Sequence, residues 1–100
     1  MKTKEFVPEY VERFNTKCLL DENNKYHSVN DLPAIVYTNG TKVWCKNDAY
    51  HRDNDLPAMV FADGTQVWYR NGVIHRDGDK PAIMFPHGLI EFWVNGKKIK

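Results

Sequence analysis

Two tripeptides, His51-Arg52-Asp53 and His75-Arg76-Asp77, carry the side chains best equipped for chemistry in this chain. Each is followed by a further carboxylate, Asp55 or Asp79, and a degenerate copy precedes them at His27-Ser28-Val29-Asn30-Asp31. Guanidinium groups in register with imidazoles could hold a phosphate or nucleotide through bidentate contacts. The Asp53/Asp55 and Asp77/Asp79 pairs could offer oxygens to calcium. Their spacing lacks the fuller ligand set of a calcium loop, and Asn30-Asp31 is a poor copy. His27, His51 and His75 would meet at zinc only if neighbouring units aligned them. A structural reading competes with these. In it the His and Arg side chains stack and hydrogen-bond from one unit to the next, while the aspartates cap turns or pair with Arg52 and Arg76. Recurrence favours it, because a residue needed for stacking must return in every unit. No metal site and no cofactor is assigned.

Nucleophilic catalysis finds no support. Ser28 follows His27 directly, and sequence neighbours seldom reach triad geometry. The glycines sit in isolated turns instead of a phosphate-cradling loop. The expectation is that the chain is not an enzyme and has no catalytic residues.

The elements that position these residues come from a repeat with a 24-residue period. Tyr26-His27-Ser28-Val29-Asn30-Asp31-Leu32-Pro33-Ala34 returns as Tyr50 to Ala58 and again as Ile74 to Ala82. Behind each copy come an apolar run, a turn ending in Gly40, Gly64 or Gly88, and a tryptophan, Trp44, Trp68 or Trp93. Units at 26–49, 50–73 and 74–100 follow, stacked so that each buries its apolar face on a neighbour. Residues 17–25 read as a degenerate half-repeat, with Leu19-Leu20 in the place of Val43-Trp44 and Asn23-Asn24 in that of Asn47-Asp48. Residues 1–16 read as an N-terminal cap. Pro8 to Asn15 suits a short helix, with proline in its first turn and Tyr10, Val11 and Phe14 on one side. The whole chain, 1–100, is one domain, large enough to fold without a metal or a disulfide.

Each unit contains a hairpin. Asn39-Gly40, Asp63-Gly64 and His87-Gly88 read as two-residue turns, and Asn47-Asp48, Asn71-Gly72 and Asn95-Gly96 as second turns. If Thr38 pairs with Thr41, then Ile35 lies opposite Trp44 and Val36 opposite Val43. One face then carries Ile35, Tyr37 and Trp44 with their equivalents Met59, Phe61, Trp68, Ile83, Phe85 and Trp93. The other carries Ala34, Val36, Val43, Ala58, Val60 and Val67. Gly88 to Trp93 spans one residue more than Gly64 to Trp68, which predicts a bulge or a changed loop in the third unit. The aromatic stripe reads as core. Were it open to solvent, it would mark a protein partner, a homodimer contact or a sugar chain stacked on the rings.

Composition narrows the classes. Fourteen basic and thirteen acidic residues leave a net charge of +1, which provides no general field for nucleic acid or an anionic membrane. There is no apolar run long enough for a membrane span, and Met1-Lys2-Thr3-Lys4-Glu5 lacks the apolar stretch of a signal peptide. Cys18 and Cys45 occupy non-equivalent places and read as reduced thiols of a cytoplasmic protein.

From Trp68 through Asn71-Gly72, His75 and Gly78, the chain resembles the MORN repeat class in its variant bacterial and viral forms. The Gly72, His75 and Gly78 intervals fit, as does Gly64 ahead of Trp68. The Trp-to-Gly interval is one residue longer than usual, and the first unit has Asp48 in the glycine place. The resemblance covers about three quarters of the chain. It implies an all-β fold, an open, twisted antiparallel sheet of stacked β-hairpins that binds partners without a shared catalytic site. The His-Arg-Asp and Pro-Ala version also looks like repeats of large phages and giant viruses. The expected function is therefore non-enzymatic protein binding, as by a small phage-encoded effector that inhibits a host protein in the host cytoplasm. A nucleotide or small-molecule sponge using the His-Arg-Asp rows, and a carbohydrate-binding hairpin repeat, are the alternatives. The candidate binding residues are His51, Arg52, Asp53, His75, Arg76, Asp77, Trp44, Trp68 and Trp93.

Overall fold

A computed structural model describes residues 9–100, which form strands, turns and loops; no helix occurs among the described residues. The chain opens with β1 (Tyr10–Arg13) and β2 (Thr16–Leu19), followed by β3 (Ile35–Val36) and β4 (Lys42–Val43). It continues through β5 (Cys45–Lys46), β6 (Ala49–Tyr50), β7 (Met59–Val60), β8 (Gln66–Val67), β9 (Tyr69–Arg70) and β10 (Val73–Ile74). The last four strands are β11 (Ile83–Met84), β12 (Ile90–Glu91), β13 (Trp93–Val94) and β14 (Lys97–Lys98). Eight of them make one antiparallel sheet in the order β1-β2-β3-β4-β7-β8-β11-β12. The other six pair as three two-stranded ribbons, β5/β6, β9/β10 and β13/β14. The molecule is elongated, 56 × 27 × 18 Å.

The register sets the core. Cross-strand partners share a face, and the pairs Cys18↔Ile35, Ile35↔Val43, Val43↔Met59, Met59↔Val67 and Val67↔Ile83 link into one row. Every member of that row is buried. The ribbons cover it: Cys45 joins the buried cluster, and Tyr50, Tyr69, Ile74 and Trp93 pack against it. The alternate row, Lys17, Val36, Lys42, Val60, Gln66, Met84 and Ile90, faces the other way and is partly or fully exposed.

The first turn of each unit differs from the sequence expectation. Gly40 has φ +95°, whereas Asn39 is not in the left-handed region, so this is not a two-residue turn. Gly40 donates to Tyr37 O (3.0 Å) and Tyr37 N to Thr41 O (2.9 Å), closing a three-residue loop, while Asn39 Oδ1 accepts from Thr41 N (2.9 Å). Gly64 and Gly88 repeat the bonds to Phe61 and Phe85. This loop shifts the expected register by one residue. Ile35 therefore shares its face with Val43, and neither expected face assignment holds. The second turns match the expectation. Asn47 and Asp48 both have positive φ, as do Asn71 and Gly72 and Asn95 and Gly96. Their second residues stack the ribbons, with Asp48 N, Gly72 N and Gly96 N donating to Tyr26 O, Tyr50 O and Ile74 O at 2.8–2.9 Å.

Three further expectations need correction. The N-terminal helix is not formed. Tyr10–Arg13 is strand, paired with β2 in the register Val11↔Cys18, and Phe14 and Asn15 (φ 52° and 61°) make the turn. Edge pairing supplies the tertiary contact that two turns of isolated helix would lack; residues 1–8 of the predicted cap lie outside the described residues. The third unit has no extra residue. Trp44 O accepts from His51 N and Trp68 O from His75 N, and the next bond in the series is Ile99 N to Phe92 O. Phe92, not Trp93, thus stands in the tryptophan place. In the half-repeat the same place belongs to Leu19, whose N–H donates to Ala34 O. Its second turn carries the additional residue, with Asn24 at positive φ.

Replacing Met59 with Ala removes a buried member of the core row and should cost about 2–5 kcal/mol in urea unfolding. Lys42→Ala, on the opposite face, should stay within about 0.5 kcal/mol.

Candidate functional site

The loops 27–33, 51–57 and 75–81 run between the ribbons and the next sheet strand. Each is pinned at its tip by a turn of two positive-φ residues, Asn30-Asp31, Asn54-Asp55 or Gly78-Asp79. The arginines of the second and third loops reach back to the unit before. Arg52 lies flat on Trp44, its Cζ 3.7 Å from the ring centroid, and grips Asp31 with Nε and Nη2 at 2.9 and 3.0 Å. Its Nη1 donates to Pro57 O (3.0 Å), and Trp44 Nε1 donates to Asp31 O (2.9 Å). Arg76 repeats the clamp on Trp68 (3.9 Å), Asp55 (2.9 and 3.2 Å) and Pro81 O (3.0 Å), and Trp68 Nε1 donates to Asp55 O (3.0 Å). Lys80 adds a second cation to Asp55 at 3.0 Å. Hydrogen bonds from Arg76 and then Lys80 hold the Asp55 carboxyl down at about 2, and Arg52 lowers Asp31 in the same way. Planar, bidentate and stacked, each arginine side chain is committed to its own fold.

The clamp weakens toward both ends of the array. Lys100 stands 24 residues after Arg76, lies over Phe92 at 4.8 Å and reaches Asp79 at 3.8 Å. At the other end Ser28 replaces the arginine and Leu19 the tryptophan, and Ser28 Oγ accepts from Cys45 N instead (3.1 Å).

The histidines are equally occupied. Nδ1 of His27, His51 and His75 accepts from the backbone N–H of Asn47, Asn71 and Asn95, at 3.2, 3.1 and 2.9 Å. Each ring thereby caps the second turn of its own unit. Nε2 of His51 meets Asp53 at 2.8 Å, and Nε2 of His75 meets Asp77 at 2.7 Å. This network assigns the Nε2–H tautomer, so neither ring keeps a lone pair for a metal or for a base's proton. Arg70 joins the second cluster, bidentate on Asp77 at 2.9 and 3.1 Å and touching His75 Nε2. The bonds from His75 and then Arg70 lower the Asp77 carboxyl below its ordinary value.

Between the two complete His-Arg-Asp loops lies a groove of about 390 Å³ that brings together His51, Arg52, Asp53, His75, Arg76 and Asp77. Trp68 forms part of its floor, whereas Trp44 belongs to the adjoining groove. Trp93 is apart from both; its Nε1 donates to Glu91 Oε1 at 2.9 Å, and its ring packs on the core. Sequence reasoning missed Arg70 and did not pair Asp31 with Arg52; it did count Asp55 among the aspartates that cap turns or pair with Arg52 and Arg76, and Asp55 pairs with Arg76. The recurring separation of 21 residues between acid and arginine was the available signal. Among the described residues no cluster of three or more His, Cys, Asp or Glu is placed to hold a metal. Both cysteines are free and buried, and desolvation, helped by Asp48, pushes the Cys45 thiol up to about 12, leaving it unreactive.

The expected aromatic stripe divides. Trp44 and Trp68 are buried, whereas Tyr37, Phe61 and Phe85 are 38%, 40% and 36% exposed. These three stand at equivalent positions, directly after β3, β7 and β11. Around Tyr37 lies a groove of about 570 Å³ walled by Tyr26, Ile35, Cys45, Tyr50 and Gly72.

No protein-family model, curated protein or solved structure matches this chain. No helix of the described residues is long and apolar enough to cross a membrane.

Asp55→Ala should cost about 1–2 kcal/mol, because it leaves the largely buried guanidinium of Arg76 without its partner while solvent still screens part of the loss. Asp53→Ala, at an exposed carboxylate, should cost less by the same thermal melt. Because folding depresses the Asp55 pKa, its contribution is complete above the unfolded value near 4. It is lost as pH falls to about 2, and Asp55→Asn should remove that segment of the acid-unfolding profile.

Proposed function

We propose that this chain is a non-enzymatic module that binds another protein. The observation that carries the reading is the contrast between two rows of side chains. The Arg, His and Trp residues that could have served a reaction or a phosphate are used in clamps and turn caps. The rings of Tyr37, Phe61 and Phe85 are left open along one side of a rigid array. Aromatic residues exposed in a row are what protein interfaces use as anchors, and ordinary monomer surfaces carry few of them together. A nucleotide sponge would need Arg52 or Arg76 to release its aspartate and leave a tryptophan face, which sets the cost of folding against the gain of binding.

The test is capture on immobilised protein followed by size-exclusion chromatography of the recovered complex. Phe61→Ala should weaken a captured partner about tenfold or more while the melting temperature holds. Arg76→Ala should lower the melting temperature first and affect binding only through unfolding. Retention of no macromolecule, or equal retention by Phe61→Ala, counts against the reading.

A further inference from the structure

We propose that the aromatic row is a docking groove for a proline-rich segment of the partner, held as a polyproline II helix. The inference rests on the protein-binding reading and narrows it to one ligand class. Tyr37, Phe61 and Phe85 follow β3, β7 and β11 directly, and each donates its backbone N–H to the residue four further on. They therefore occupy one position in successive units. Between their strands lie β4 and β8, so neighbouring rings stand two strand widths apart. At about 4.8 Å per strand this is roughly 9.6 Å.

Few chain conformations present one face at that interval. Polyproline II advances about 3.1 Å per residue with three residues per turn, so every third side chain returns after about 9.3 Å. An extended strand repeats its face after about 6.7 Å, and an α-helix after about 5.4 Å. Across three rings the polyproline II mismatch stays well under 1 Å, whereas the strand is out of phase by the second ring.

The polarity of the groove agrees with that occupant. Its one acid at the first unit, Asp48, already accepts Tyr26 N at 2.6 Å. The remaining lining is uncharged, so the groove favours a segment without charge. Among the described residues, Tyr10 places its hydroxyl on a protein acceptor, Pro33 O at 2.6 Å, and those of Tyr26, Tyr37, Tyr50 and Tyr69 have no protein partner and are not fully buried. Desolvation raises Tyr37, Tyr50 and Tyr69 above the ordinary phenol value, so they remain protonated donors. Polyproline II makes no internal hydrogen bonds, and its solvated carbonyls are available acceptors. Its prolines bring no N–H that the groove would have to satisfy. The segment is also preorganised, which suits a groove built on a fixed sheet.

The experiment is isothermal titration of the full chain with a synthetic peptide of three Pro-Pro-Leu triplets, about three polyproline turns. A second peptide has glycine in place of every proline, and a linear glucan oligosaccharide forms a third arm. The expected result is saturable binding of the proline peptide and binding about tenfold or more weaker with the glycine peptide. Phe61→Ala should abolish the heat. Tyr50→Phe, which keeps the ring and loses the donor, should weaken binding severalfold at an unchanged melting temperature. No heat with the proline peptide, equal binding of the glycine peptide, or binding of the oligosaccharide alone overturns the proposal. If a captured protein partner is lost on Phe61→Ala yet the proline peptide does not bind, the groove binds protein in another form; this proposal then fails and the broader one stands.

Discussion

Strands two residues long cannot hold a sheet together by their own ladders. Twelve of the fourteen strands here are of that length, and the fold depends on how the units are tied across them. The tie is a guanidinium of one unit laid on the indole of the unit before and chelated by that unit's aspartate. Because the same indole donates to the backbone carbonyl of the same aspartate, ring, cation and turn are fixed as one body. The buried row from Cys18 to Ile83 then gains a cover of ribbons that no single unit could supply.

The period, the all-β class and the second turns were legible because each has a local cause. Asn-Asp and Asn-Gly pairs tolerate two successive positive φ values, and the I′ turns form where they stand. The first turns were not legible in the same way. Asn39-Gly40 presents the same dipeptide signal, but the threonine after it donates to the asparagine side chain and draws the glycine into third place in the loop. A single residue of difference in loop length moved every side chain of the expected faces. Trp93 misled for another reason. Tryptophan identity was read as position, whereas backbone bonding puts Phe92 in that place and sends Trp93 to the ribbon. The N-terminal segment satisfied helix spacing locally, and the pairing that overrode it was with a strand several residues on.

The candidate site shows the same division between local and distant causes. His51, Arg52, His75 and Arg76 were identifiable as the chemical residues, and the recurrence argument pointed to a structural role. The partners of each Nδ1 and of each arginine's Nε lie twenty or more residues away, so neighbouring residues did not show that these nitrogens were already spent. Part of the row that looked like core is left partly exposed. Tyr37, Phe61 and Phe85 stay partly open because they stand at the ends of β3, β7 and β11, where the three-residue loops begin at the rim of the sheet.

Glu91 occupies the position that Val43 and Val67 hold in the earlier units, at the last strand of the sheet. It is held there by Trp93 Nε1 and Lys98. A strand paired against this edge would have to desolvate the carboxylate, a cost that the apolar valines of the earlier units do not impose.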